Sequence, residues 1–222
     1  MENYAVIFDM DGVIAHTNPY HTEAFKQFFD KYKIPYTEAE FEDHMFGKHN
    51  SYIMSYFFKR DIAGEELQRL EEEKEGLFRE IYQHHIKPID GFLEFLAQLK
   101  AAGFHTGVAT SAPRANLDLI MDGLGFRRQM ESILSSEDVQ AHKPHPEVYL
   151  KSARNLGVEP HNCVVFEDSY SGITAAARAG AKVVGVLSSH TKDQLPPCQH
   201  YIRDYRDVTV DRIKQLLRAD HA

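Results

Sequence analysis

Short apolar runs alternate along most of this 222-residue chain with longer stretches whose apolar positions recur every three or four residues. The first run, Tyr4-Ala5-Val6-Ile7-Phe8, ends in the carboxylate of Asp9 and the turn signal Asp11-Gly12. Its length and lack of polar alternation predict a strand buried on both faces. Similar runs lie at 105–110, 133–134, 163–167 and 182–187, and amphipathic stretches at 91–102, 115–124, 146–156 and 169–179 separate them. Strand alternating with helix predicts an α/β protein with a parallel sheet. Gly103, Gly157 and Gly180 each stand where a helix should stop.

Residues 17–88 have a different texture, with helix-like segments near 20–32, 38–45, 50–59 and 64–85 and no convincing strand. They are expected to form a helical insertion after the first strand, with 1–16 and 89–222 making the core. The insertion holds 14 acidic and 10 basic residues and so carries half of the net charge of −8. That surplus argues against a nucleic-acid or anionic-membrane partner. Apolar content of 43% with 11% aromatic residues fits a folded, soluble chain. The two cysteines, Cys163 and Cys198, are too few for a disulfide framework, and no leader-like or membrane-spanning run is present. A cytoplasmic protein is expected, monomeric or weakly self-associating.

In parallel α/β sheets ligands gather beyond the carboxyl ends of the strands, so the residues that end the apolar runs are the candidates. They are Asp9 with Asp11, Thr110 with Ser111, and Glu167 with Asp168, joined by Lys143 from the loop His142-Lys143-Pro144. Four carboxylates in one crevice are mutually repulsive unless a cation lies among them, and oxygen donors without clustered His or Cys favour Mg²⁺. Asp9 and Asp11, two apart on an extended segment, can face one bound group as nucleophile and proton shuttle. The Thr110 hydroxyl and the Ser111 and Ala112 amides suit a tetrahedral oxyanion, with Lys143 as a balancing charge. Taken singly, each feature reads as well as a turn, a loop or a helix cap; their order at successive strand ends favours a site.

At these residues the sequence resembles the haloacid dehalogenase superfamily, on the branch of β-phosphoglucomutase and small sugar-phosphate phosphatases. Phe8-Asp9-Met10-Asp11-Gly12-Val13, Val108-Ala109-Thr110-Ser111, Lys143-Pro144 and Phe166-Glu167-Asp168-Ser169 with Gly172 resemble its four motifs in order. The resemblance implies a doubly wound, Rossmann-like core with an inserted all-helical cap. It implies that Asp9 forms an aspartyl phosphate, that Asp11 is the general acid and base, and that Thr110, the Ser111 amide and Lys143 hold the phosphoryl group. Asp9, the Asp11 carbonyl and Asp168 would ligate Mg²⁺, with Glu167 bound directly or through water. An acid at Asp11 favours phosphate-ester chemistry within the superfamily.

Phosphatase and mutase stay open on the motifs alone, since a mutase must also bind a second phosphate and exclude water. Thr17, His21 and Lys74 resemble the hinge and cap positions of the mutase. In the loop Gly47-Lys48-His49-Asn50, however, Asn50 stands where the mutase resemblance requires an arginine, removing a bidentate phosphate clamp. His16 is a second departure, at a position that is acidic in many relatives. Lys48 and His49 are candidate substrate contacts. A phosphatase acting on a small phosphorylated metabolite is therefore the leading expectation, with the mutase and a non-catalytic phosphate sensor as alternatives.

Overall fold

The computed structural model describes residues 3–45 and 50–218, with the backbone alone at Glu42 and Asp43. The chain divides into two compact units, Thr17–His85 and a larger one formed by Met1–His16 with Ile86–Ala222.

The larger unit is built on a parallel sheet. Its strands are β1 (Ala5–Phe8), β2 (His105–Ala109), β3 (Ser132–Leu134), β4 (Cys163–Glu167), β5 (Lys182–Val186) and β6 (His200–Ile202). Among the described residues the order is β3-β2-β1-β4-β5-β6, so the chain winds outward from β1 in one direction and from β4 in the other. This is a doubly wound sheet, and its switch point lies between β1 and β4. Every residue of β1 is buried, as its unbroken apolar run requires, and Ala5 sits in register between His105 and Cys163.

Side chains alternate across the sheet. Ala5, Ile7, Val165 and Val183 share one core cluster with Tyr149, Ala153 and Ile173 from α7 (Glu147–Leu156) and α8 (Tyr170–Ala179). On the other face Phe8 and Phe166 stack at 5.2 Å and meet Phe92 and Phe95 of α5 (Phe92–Ala101) and Tyr205. α6 (Arg114–Leu124) links β2 to β3. Gly103, Gly157 and Gly180 all have positive φ at the ends of their helices.

β6 and α9 (Val210–Arg218) were not expected from the apolar runs. β6 is three residues long with polar neighbours, too short to stand out. α9 did have a signal, since Val210, Ile213, Leu216 and Leu217 fall on one helical face and the last three are buried.

The smaller unit contains α1 (Asn18–Lys31), α2 (Glu38–Met45), α3 (Asn50–Phe58) and α4 (Gly64–Tyr82). Phe25, Phe28 and Phe29 on α1, at helical spacing, form its core with Phe41, Phe57 and Leu70. The expected boundary at Pro88 is three residues late. Ile89 N–H donates to the Ile14 carbonyl at 2.8 Å, His16 N–H to the Lys87 carbonyl at 3.2 Å, and Ala15 bridges Pro88. These backbone bonds assign residues 86–88 to the core unit. Among the described residues no helix is long and apolar enough to cross a membrane.

Candidate active site

β1 ends at Phe8, and the next residue, Asp9, emerges at the sheet switch point, its N–H donating to the Phe166 carbonyl of β4 at 3.0 Å. β4 ends in Glu167 and is followed by Asp168. Asp9, Glu167 and Asp168 are all buried, each with a carboxylate oxygen within 4.8 Å of the others. Gly12, at φ 69°, turns the chain after Asp11 in a conformation that glycine adopts without a Cβ penalty.

Lys143 reaches into this cluster from its loop. Its Nζ donates to Asp9 Oδ1 at 2.7 Å, to Glu167 Oε1 at 2.7 Å and to the Ala109 carbonyl at 3.2 Å. Burial on its own would favour the neutral amine, but Asp9 and Glu167 outweigh it and hold the lysine above its ordinary value. Asp9 is pushed well above the carboxylate range, first by burial and then by Glu167, Asp168 and Asp11, with Lys143 opposing. One ammonium does not balance the gathered acids. The donor set is entirely carboxylate oxygen and carries excess negative charge, so it fits a hard divalent cation such as Mg²⁺.

The members of the cluster differ in what they have left to offer. Glu167 accepts five hydrogen bonds: Oε1 from Lys143 Nζ and Tyr149 Oη, and Oε2 from Asp168 N–H, Ser169 N–H and Ser169 Oγ. An ionised carboxylate has about four lone-pair sites, so Glu167 is saturated. Ser169 serves twice, since its Oγ also accepts Gly172 N–H at 3.0 Å as the N-cap of α8. The approach of α8 is close enough that a Cβ on Gly172 would lie 1.7 Å from Glu167 Oε1, which explains the glycine in the fourth motif.

Thr110 follows β2 and is buried, with its N–H bonded to the Leu134 carbonyl at 3.0 Å. The anion loop differs from expectation in one respect: the Ala112 amide donates to Thr110 Oγ1 at 3.0 Å and is spent in a local turn. Ser111, between them, is exposed. The start of α6 is also engaged, with Arg114 N–H donating to Glu137 Oε1 at 3.0 Å.

Within the smaller unit, His21, Asn50 and Lys74 converge. Lys74, only 2% exposed, donates to Glu75 Oε1 and His21 Nδ1, each at 2.8 Å, and lies 4.3 Å from the centre of the Phe25 ring. An ammonium has no acceptor, so His21 accepts at Nδ1 and its ring proton is on Nε2. His21 stacks on Phe78 at 3.8 Å, and Asn50 Nδ2 donates to Glu75 Oε1 at 3.1 Å. Glu75 thus accepts from both Lys74 and Asn50, and the motifs did not point to it. Lys48 and His49 lie outside the described residues. His16 sits on the outgoing segment and is lowered by burial and by the charge of Lys87.

Tyr149, Ser188, Ser189 and His190 also join the core site without having been singled out. Tyr149 occupies a core position of α7 and gives no polar signal in sequence. Ser188 does, because it follows the apolar run 182–187 just as Asp9 and Glu167 stand at the ends of theirs.

The family model of the haloacid dehalogenase-like hydrolases matches residues 6–186. The chain belongs to this family. A phosphorylated carbohydrates phosphatase of Thermotoga maritima is 33% identical over 190 residues, covering 83% of this chain and 86% of that one. The fructose-1-phosphate phosphatase of Escherichia coli is 30% identical over 186 residues, covering 83% and 97%. The crystal structure of a family IA, variant 3 hydrolase from Entamoeba histolytica superposes with a TM-score of 0.91 at 28% identity, covering 97% and 99%. The hydrolase also shares its fold with a β-phosphoglucomutase of Clostridium difficile, at a TM-score of 0.83 and 23% identity over 99% of each chain.

Proposed function

We propose that this enzyme, a phosphoric monoester hydrolase of its family, is a Mg²⁺-dependent phosphatase of small phosphorylated metabolites, sugar phosphates foremost, acting through an aspartyl phosphate. The observation that carries the reading is the buried Asp9 carboxylate at the switch point, 2.7 Å from Lys143 and grouped with Glu167 and Asp168. Phosphatases of phosphorylated carbohydrates, of fructose 1-phosphate and of glycerol 1-phosphate among the relatives support the substrate class.

In this mechanism an Asp9 oxygen attacks phosphorus and the bond to the leaving oxygen breaks as Asp11 gives that oxygen its proton. Asp11, now a carboxylate, takes a proton from water; the water oxygen attacks phosphorus, the bond to Asp9 breaks, and phosphate leaves. Because the transferring group is loosely bound at its transition state, positioning and charge do most of the work. Thr110, the Ser111 amide and Lys143 hold the phosphoryl oxygens. Held by Asp9, Asp168 and the Asp11 carbonyl, Mg²⁺ would neutralise charge on the phosphoryl group. With its carboxylate filled by five hydrogen bonds, Glu167 keeps Lys143 charged and aimed at Asp9, and a metal-bound water would have to displace one of those donors to reach it.

Phosphatase is favoured over mutase by the smaller unit. Lys74 is paired with Glu75, and Asn50 replaces the expected arginine, which leaves a weak clamp for a second phosphate. The two free thiols suit a reducing, cytoplasmic setting.

With Mg²⁺ the protein should release free phosphate from a panel of sugar and polyol phosphates, and chelation should stop it. Asp9→Asn should abolish turnover, and undiminished activity in that variant would overturn the mechanism. Conversion of β-glucose 1-phosphate to the 6-phosphate with little free phosphate would establish the mutase instead.

A further inference from the structure

The turn after β5 brings three consecutive residues onto the two catalytic loops. Ser188 Oγ donates to the Gly12 carbonyl at 2.5 Å, which ties the turn to the loop carrying Asp9 and Asp11. Ser189 Oγ donates to Asp168 Oδ2, and Ser188 Oγ lies 3.4 Å from the same oxygen. His190 Nδ1 is 3.1 Å from the Asp168 carbonyl, which can only accept, so the imidazole donates there. On an extended strand consecutive side chains would diverge; the chain turns at 187–188, and they converge.

We propose that Ser189, anchored by Ser188, is a positioning residue that orients the Asp168 carboxylate for a divalent cation and thereby sets the affinity of the site for metal. This rests on the reading that Asp168 ligates Mg²⁺. Glu167 takes two of its bonds at Oε1, one from a lysine that offsets its charge. The Ser189 hydroxyl is a neutral donor to Asp168 Oδ2 and restrains rotation of the carboxylate. Partners that orient metal ligands in this way typically contribute about 10–100-fold in metal affinity.

The test is binding of Mn²⁺ to the full chain, measured by electron paramagnetic resonance or titration calorimetry without substrate. Ser189→Ala should weaken Mn²⁺ binding about 10-fold or more, and the Mg²⁺ concentration that half-activates the enzyme should rise by a similar factor. Ser189→Thr, which keeps the hydroxyl, should restore most of the affinity. The melting temperature of each metal-free variant is measured alongside, since a merely structural role would lower it in Ser189→Ala without moving the affinity for Mn²⁺. Affinity within about twofold of wild type in Ser189→Ala, with Asp168→Asn losing the metal, overturns the proposal and spares the site. Affinity unchanged in Asp168→Asn as well overturns the reading of the metal site itself.

Discussion

Replacing Gly172 by alanine sets two effects of opposite sign against each other. Gly172 lies in the first turn of α8 with no left-handed φ, so alanine should on helix propensity alone stabilise by up to about 1 kcal/mol. The added Cβ, however, would sit 1.7 Å from Glu167 Oε1 and 1.9 Å from its Cδ. Glu167 is a side-chain end, but not a yielding one, because five hydrogen bonds hold it. Moving it must loosen its pairing with Lys143, and disrupting a buried pair costs about 3–5 kcal/mol. The net expectation is a loss of about 2–4 kcal/mol, which for a chain of this size lowers the melting temperature by about 5–15 °C. Turnover should fall as Lys143 loses its aim at Asp9. Thermal melts followed by circular dichroism read the first effect and phosphate release the second. Gly76→Ala on α4 is the matched control: among the described residues its Cβ would meet only Arg79 Nη2, at 3.9 Å, so propensity should act alone and stability should rise. A Gly172→Ala protein that melts at or above wild type would refute the close-approach argument.

Three further outcomes follow from the same site and its surroundings. Lys143→Met removes the cation between Asp9 and Glu167 and should cost about 3–5 kcal/mol in metal-free protein; Mg²⁺ should recover part of the loss in melting temperature, and a metal-free melt equal to wild type would contradict the charge argument. Tyr149→Phe deletes one donor to Glu167 Oε1 and should cost about 1–3 kcal/mol in denaturant titrations. Burial pushes the Cys163 thiol up to about 12 and the Cys198 thiol up to about 11. Both should therefore alkylate far more slowly near pH 8 in native than in unfolded protein. Because these thiols are raised, the stability they contribute is full below the ordinary thiol pKa of about 8.5 and is lost as pH climbs toward the folded values.

Most strands and helices of the core were legible because their signals are local. An unbroken apolar run such as Ala5 to Phe8 can be satisfied only in the middle of a sheet, and the glycine stops mark where α5, α7 and α8 end. The doubly wound arrangement was implied by the family resemblance rather than by any local pattern, and the order of the strands came only with the structure. What sequence could not convey was how hydrogen bonds are shared out. Glu167 and Asp168 look equivalent in the fourth motif, yet one is saturated and the other accepts the hydroxyl of Ser189 from a turn 21 residues away. The Ala112 amide looked as available as that of Ser111 until the turn closed on Thr110. Tyr149 is an aromatic on a buried helix face, and its hydroxyl gains meaning only when Glu167 is placed beside it. In the smaller unit, Lys74 has the composition of a substrate contact, but its neighbour Glu75 claims it.

The central place of β1 has a bearing on how the protein comes into being. The strand that leads to Asp9 lies near the start of the chain, yet its register partners begin at His105 on one side and Cys163 on the other. Parallel pairing across such separations is intrinsically slow, because long loops must close before any bond forms. During synthesis the segment Ala5–Phe8 must wait, apolar and unpaired, until β2 has emerged, and its other edge stays open until β4 follows; the residues of the smaller unit are all made before either. The nucleophile is thus among the first residues made, while Glu167 and Asp168 beside it come about 160 residues later, so a ribosome stalled before residue 163 would carry the helical insertion and no catalytic centre.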